Sequence, residues 1–158
     1  MNLVEVYNAT RTQVDEEAVA ALVDRVLAAE GVAHAEVSVE VVGERRIRDL
    51  NREHRGKDEV TDVLSFPLEE ADEEPGLLDD DDGPPRLLGD VVICARRALR
   101  QARADGLPPA LELAVLLAHG TLHLLGYDHE ADAGQMALRQ AEVLELVSWE
   151  DLLVSAPR

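Results

Sequence analysis

The spacing of apolar residues changes along the chain and predicts where strands and helices form. Val37, Val39 and Val41 alternate with polar residues, which is the period of a strand, whereas apolar residues within 16–29 recur at helical spacing. Asp15 can cap that helix, and Gly31 lies beyond its end. The pattern predicts strands at 2–7, 34–42, 63–66 and 87–93 and helices at 16–29, 44–54, 95–104, 108–125 and 131–147. Strands and helices are interspersed, so we expect a mixed sheet with helices packed on it.

Composition indicates a globular chain with one hydrophobic core. The chain has 158 residues, 46% of them hydrophobic, which predicts a single domain over 1–158. No apolar run approaches the roughly 18 residues that a bilayer span needs, and the first ten residues lack the pattern of a signal peptide. The one cysteine, Cys94, has no disulfide partner and is expected to be a small buried side chain. These features favour a cytoplasmic setting.

Charge is distributed unevenly. The net charge of −18 argues against indiscriminate nucleic-acid binding. Residues 69–82 contain nine acidic side chains and no basic one, and the prolines and glycines around them predict a loop at 69–86. Two groups of basic residues nevertheless occur in this acidic chain. Each is either a solvated helix face or a local patch that binds an anion. The first group is Arg45, Arg46, Arg48, Arg52, Arg55 and Lys57, and the second is Arg96, Arg97, Arg100 and Arg103.

Three of the five histidines fall within eleven residues. His119 and His123 are four residues apart on the predicted apolar helix, so both side chains leave the same helix face and can converge on one ion. Gly126 suits a left-handed conformation that ends the helix, after which His129 can turn back as a third ligand. Three imidazoles with one position left for water are typical of a catalytic zinc site. We therefore predict one Zn²⁺ per chain, at the end of a central helix.

The same spacing occurs in the metzincin proteases, with one difference in the sequence. Those proteases carry a glutamate directly after the first histidine as the general base, and Gly120 occupies that position. Peptide hydrolysis of the metzincin kind is therefore in doubt. Asp128, next to the third predicted ligand, is a candidate for orienting a histidine or moving a proton, and it is equally a candidate turn residue.

The histidine segment resembles the YbeY family of bacterial endoribonucleases. The resemblance extends to Leu50-Asn51, to 55–58 (Arg-Gly-Lys-Asp), to 61–67 (Thr-Asp-Val-Leu-Ser-Phe-Pro) and to 88–93, and it covers most of the chain in order. It implies an α+β fold with about four strands and surrounding helices. It also implies a zinc-bound nuclease for single-stranded RNA that matures the 3′ end of small-subunit ribosomal RNA and takes part in ribosome quality control. By position in the motifs, the metal ligands are His119, His123 and His129, and Arg55 matters for activity.

The partners and remaining site residues follow from this resemblance as expectations. The partners are ribosomal RNA and the small ribosomal subunit, with ribosomal proteins or an assembly GTPase as further candidates and no membrane. Arg55 can bind phosphate through its planar guanidinium, or can be an ion-pair partner of Asp58 or Glu59. Further candidates for RNA or second-sphere contacts are Arg52, Lys57, Ser65 and Asp128. His34 and His54 are assigned to the surface, with an approach to the metal cleft as the lesser alternative for His54. A ribosome-assembly factor with a structural zinc, or a peptide or ester hydrolase, remains the alternative function.

Overall fold

A computed structural model describes residues 2–68, 84–128 and 133–153. Within these ranges there are four strands and five helices, and the helices are interspersed with the strands until β4, after which three helices follow. None of the helices described there combines the length and apolarity of a bilayer span. The elements are β1 (Leu3–Asn8), α1 (Glu16–Ala29), β2 (Ala35–Val42), α2 (Glu44–Arg55), β3 (Val63–Pro67), β4 (Arg86–Cys94), α3 (Ala95–Asp105), α4 (Pro109–Leu124) and α5 (Gln135–Leu144).

The sheet has the order β1-β2-β4-β3 and contains both strand directions. The first three strands in that order run parallel, and β3 is antiparallel to β4 with Ser65 opposite Val91. Parallel neighbours require a crossover, which α1 and α2 supply. Among the described residues, β3 therefore forms one edge of the sheet, and its outer side is available to a cleft.

Two hydrophobic clusters cover the two faces of the sheet. Successive residues of a strand point to opposite faces, so Val91 and Ile93 face one way and Val92 and Cys94 the other. The larger cluster joins Val91 and Ile93 to α1, α4 and α5. The smaller cluster joins Val92 and Cys94 to Ile47 and other residues beneath α2. Helix α4 thus lies on one face of β3 and β4, and α2 lies on the other.

The mixed four-stranded α+β fold predicted from the sequence is confirmed, and most element bounds agree within two residues. The last helix is the exception, because α5 spans Gln135–Leu144 rather than 131–147. Gly134 precedes it with a φ of 99°, a left-handed conformation that cannot belong to the helix. Of the predicted acidic loop, 69–83 lies outside the described residues, and Arg86 already belongs to β4.

A bulge at Gly89 sets the register between β2 and β4. The pairing moves from Glu36 opposite Leu87 to Val37 opposite Gly89, which leaves one extra residue on β4. Gly89 has a φ of 139°, and an added Cβ would collide with the Phe66 carbonyl of β3 and lie 3.0 Å from Leu124 of α4. Only glycine allows this approach of the two strands, which places β3 against α4.

We expect Gly89→Ala to lower the free energy of unfolding by about 2 kcal/mol or more, because it combines backbone strain with a steric clash. Urea titration followed by circular dichroism measures the change. The matched control is Gly43→Ala, where φ is −82° and an added Cβ meets nothing within 4 Å. Equal stability of the two variants would contradict the role of Gly89.

Candidate metal centre and cleft

Helix α4 is a buried helix that presents two histidines at its far end. Pro109 opens the helix at a position where its missing N–H costs nothing, and Glu112 lies in the first turn near the positive end of the dipole. His119 and His123 are half-buried, whereas most of their neighbours on α4 are fully buried. The predicted left-handed glycine is confirmed, since Gly126 has a φ of 99° just beyond the end of the helix.

The two imidazoles converge on one point. Nε2 of His119 lies 3.2 Å from Nε2 of His123, and the ring centroids are 4.6 Å apart. Two nitrogen ligands of a tetrahedral zinc ion, each at about 2.0–2.1 Å, are separated by about 3.3 Å. The pair therefore fits two ligands of one zinc ion without rearrangement.

His119 has a polar partner on the opposite side of its ring. Its Nδ1 lies 2.9 Å from Oε1 of Gln140 on α5. An amide oxygen only accepts, so this contact favours a proton on Nδ1, which would leave the Nε2 lone pair for the shared point. Such a partner beyond the ligating nitrogen is a common feature of histidine metal sites.

Gly120 brings α4 into close contact with the sheet. An added Cβ would lie 2.6 Å from Cγ1 of Val91 and 3.3 Å from Oγ of Ser65. The Ser65 hydroxyl also donates to the Gly120 carbonyl at 2.9 Å. Position 120 therefore faces the sheet and has no room for the glutamate of a metzincin protease. The structure thus adds a steric argument against peptide hydrolysis of the metzincin kind.

A cleft of about 550 Å³ wraps around the free edge of β3. It is bounded on the α4 side by Ser65 and both histidines, and on the α2 side by residues that include Phe66. Because neighbouring strand residues face opposite ways, both faces of β3 contribute to one cavity. The lining residues are His54, Arg55, Val63, Leu64, Ser65, Phe66, Pro67, His119, His123 and Asp128.

The end of α2 places Arg55 at this cleft. Gly56 adopts a left-handed conformation with a φ of 69°, and its N–H bonds the Arg52 carbonyl at 3.1 Å, which closes the helix after Arg55. Asn51, only 3% exposed, donates from its side chain to the Glu59 carbonyl at 3.0 Å. The buried amide therefore ties the following loop to α2 and fixes the approach of Arg55 to the cavity.

The ion-pair alternative for Arg55 is not the arrangement in the structure. Asp58 pairs instead with Arg48, whose Nε is 2.8 Å from Oδ1, and Arg48 holds the pKa of that carboxyl below its usual value. Arg52 lies 3.3 Å from Asp49 and 3.8 Å from Asp58. Among the described residues, the exposed guanidinium of Arg55 makes no ion pair and remains accessible from the cleft.

Of the other predicted site residues, two line the cleft and two do not. Asp128 and Ser65 line the cleft, and the Ser65 hydroxyl donates its proton to Gly120. Arg52 and Lys57 are exposed but are not among the lining residues of the cleft. Cys94 is fully buried, as expected, and burial raises the pKa of its thiol, so it is a poor nucleophile.

The third predicted ligand, His129, lies outside the described residues. Within 2–68, 84–128 and 133–153, no three side chains of the metal-binding types come together. The three-histidine centre therefore stays a prediction, of which the described part contains His119, His123 and their shared point.

Two residues at the site were not among the predicted site residues. His54 is exposed, as expected, and its ring also lines the cleft, 4.9 Å from the Phe66 ring centroid. It is one helical turn beyond buried Leu50, a spacing that could have predicted its direction. Gln140 lies between buried Met136 and Val143 on the packed face of α5, and a polar residue on such a face was the available signal.

Comparison with known proteins agrees with the resemblance seen in the motifs. The family model described as "Endoribonuclease YbeY" matches residues 5–148. The chain belongs to the YbeY family. A relative of that name from Moorella thermoacetica is 51% identical over 121 residues, which cover 74% of this chain and 76% of the relative. One from Macrococcus caseolyticus is 48% identical, covering 70% of each chain.

Other relatives are longer than the matched region. An "Endoribonuclease YbeY" from Anaeromyxobacter sp. is 57% identical over 119 residues, which cover 74% of this chain but 57% of the relative. The chain therefore matches little more than half the length of that protein. The solution structure of TM1509 from Thermotoga maritima has the same fold, with a TM-score of 0.61, 26% identity, and coverage of 90% of this chain and 87% of the other.

We expect Ser65→Ala to lower the free energy of unfolding by about 1 kcal/mol, because it leaves the helix without a hydrogen bond to the sheet. Chemical denaturation monitored by circular dichroism measures the change. Ser38→Ala, at a half-buried position of β2 in the same sheet, is the matched control and should change stability by less than about 0.5 kcal/mol. A loss at Ser38 as large as at Ser65 would show that the bond to Gly120 contributes little.

Proposed function

We propose that this chain is a zinc-dependent endoribonuclease that cleaves single-stranded RNA. Its proposed substrate is the 3′ region of small-subunit ribosomal RNA, with a further role in ribosome quality control. Membership of a family named for endoribonuclease activity supports the reaction class. The observation that carries the proposal is the 3.2 Å convergence of the His119 and His123 nitrogens beside the cleft that Arg55 also lines.

His119 and His123 would hold the zinc ion, with His129 as the third ligand by its position in the motif. When bound, zinc supplies a Lewis acid and lowers the pKa of a coordinated water towards 7. The protein contributes unprotonated imidazole nitrogens, and Gln140 holds His119 in the tautomer that provides one. The cleft gives an RNA strand access to this point along the β3 edge.

Arg55 would bind the phosphate under attack. Its guanidinium offers two parallel donors to non-bridging phosphate oxygens and keeps its charge at every working pH. Negative charge increases on those oxygens as phosphorus becomes five-coordinate, so a positioned cation stabilises the transition state more than the ground state. This requires an accessible guanidinium, and the ion pairing of Asp58 with Arg48 and Arg52 leaves Arg55 accessible.

Asp128 is the proposed proton acceptor or orienting group. The steric limit at Gly120 removes the base used by metzincins, and Asp128 supplies a carboxylate to the described part of the cleft lining. A carboxylate there can accept a proton from the attacking water or orient an imidazole. The lack of a base at position 120 also disfavours the alternative of peptide hydrolysis.

The proposed partners are ribosomal RNA and the small ribosomal subunit, met in the cytoplasm. The exposed arginines of α2 and α3 support RNA contact despite the net charge of −18. The two helices are linked by an ion pair between Glu44 and Arg100, which places both basic groups on adjoining elements. Ribosomal proteins or an assembly GTPase are further partners in this proposal.

Removal of zinc tests the reaction. A single-stranded oligoribonucleotide with the 3′ sequence of small-subunit RNA should be cut by zinc-loaded protein, and chelation or His119→Ala should abolish the cut. Gel electrophoresis measures cleavage, and metal analysis measures zinc on the same samples. Full cleavage by metal-free protein would overturn the mechanism. Zinc-saturated protein that binds small-subunit particles and leaves the RNA intact would favour the assembly-factor alternative.

Replacement of Arg55 tests its role separately from metal binding. We expect Arg55→Ala to lower kcat/KM by about 10²-fold or more while the zinc content stays unchanged, because a single charge donor at the transition state has that effect. Arg11→Ala, at an exposed position before α1 that lies outside both the cleft and the two basic groups, is the matched control. Equal rates for the two variants would remove Arg55 from the mechanism.

A further inference from the structure

Helix α5 carries a polar side chain that contacts the His119 ring on the side away from His123. Oε1 of Gln140 lies 2.9 Å from Nδ1, on the side of the ring away from the shared point with His123. Gln140 is half-buried on the packed face of α5, between fully buried Met136 and Val143. A long polar side chain at such a position needs a partner, and His119 supplies it.

Two contacts of Arg139 tie α5 to the end of α1, and a third contact ties the turn after α4 to the same place. Arg139, the residue before Gln140, forms an ion pair with Glu30 at the end of α1 and donates to the Ala29 carbonyl at 2.8 Å. The Tyr127 hydroxyl, in the turn after α4, donates to the same Glu30 carboxylate at 2.9 Å. These three residues form the Glu30 cluster (Glu30, Tyr127 and Arg139). It joins α1, the turn after α4 and α5, and so it holds the part of the α5 backbone that carries Gln140.

We propose that Gln140 is a positioning residue of the metal centre, which holds His119 protonated at Nδ1 so that Nε2 points, unprotonated, at the metal. The site requires a fixed ring orientation and a proton on Nδ1. A neutral histidine in water has neither, because its ring rotates and its proton can occupy either nitrogen. An amide oxygen held at Nδ1 removes both freedoms before metal arrives. The metal then binds without a proton being moved from the ligating nitrogen of His119.

The inference rests on the proposed function in one respect, because it concerns the same imidazole that would bind zinc. It makes a separate claim about the metal-free chain, however, and that claim needs neither zinc nor RNA. Nitrogen-15 NMR of the histidine side chains distinguishes the two tautomers directly, at a pH of about 8 where imidazole is neutral. We expect His119 of the wild-type protein to be protonated at Nδ1.

Two substitutions at position 140 separate positioning from packing. Gln140→Leu keeps a similar volume and removes the acceptor, so the His119 proton should redistribute to Nε2, and zinc affinity should fall by roughly 10–100-fold. Gln140→Glu restores an acceptor and should keep both the Nδ1-protonated tautomer and the zinc affinity of the wild type. Gln101→Leu, at an exposed position of α3, is the matched control and should change neither quantity. Competition with a chromophoric chelator measures the affinity.

The outcomes distinguish this inference from the proposed function. Wild-type His119 protonated at Nε2 would overturn it, because the amide would then present its NH₂ group to Nδ1. Zinc affinity of Gln140→Leu equal to that of the wild type would also overturn it. Loss of affinity in Gln140→Leu with rescue in Gln140→Glu supports it, even if no RNA is cut. That last result would reject the nuclease alone and leave Gln140 as a positioning residue of a zinc protein.

Discussion

The close contact of α4 with the sheet at Gly120 is the constraint on which the rest of the site depends. Val91 leaves room for a hydrogen and no side chain at that position, and Ser65 bonds the Gly120 carbonyl. His119 is the adjacent residue, and His123 follows one turn later. The depth at which α4 packs therefore sets how far both imidazoles reach towards the free edge of β3. A larger residue at 120 would move the two nitrogens together, away from the cleft.

The surroundings of the two histidines explain how a half-buried polar site persists in an apolar helix. The Glu30 cluster satisfies a nearly buried carboxylate with a guanidinium and a phenol, and burial together with Glu30 raises the pKa of Tyr127. The cluster joins the end of α1 to the turn after α4 and to α5. Arg55, in contrast, lies at the end of α2, where the Gly56 cap and the Asn51 amide fix the course of the backbone. Its side chain makes no ion pair with the residues that the structure describes, whereas the His119 ring has Gln140 beside it.

Local patterns predicted the elements and half of the site, and the rest required tertiary contacts. Helical spacing predicted that His119 and His123 share a face, and the left-handed Gly126 followed from the motif. The partner of His119 could not be predicted, because Gln140 lies on another helix and the contact depends on how α5 packs against α4. The reason for glycine at 120 was likewise hidden, because it depends on Val91 of a distant strand. The bounds of α5 were wrong because Gly134 was not recognised as a left-handed residue before the helix.

The most direct test of this account is to locate a metal ion in a crystal of the zinc-supplemented protein by anomalous diffraction at the zinc edge. The account predicts one anomalous peak per chain, about 2.0–2.1 Å from Nε2 of both His119 and His123, with an open side towards the β3 cleft. A peak at some other site, or an ion at the histidines that is sealed off from the cleft, would contradict it.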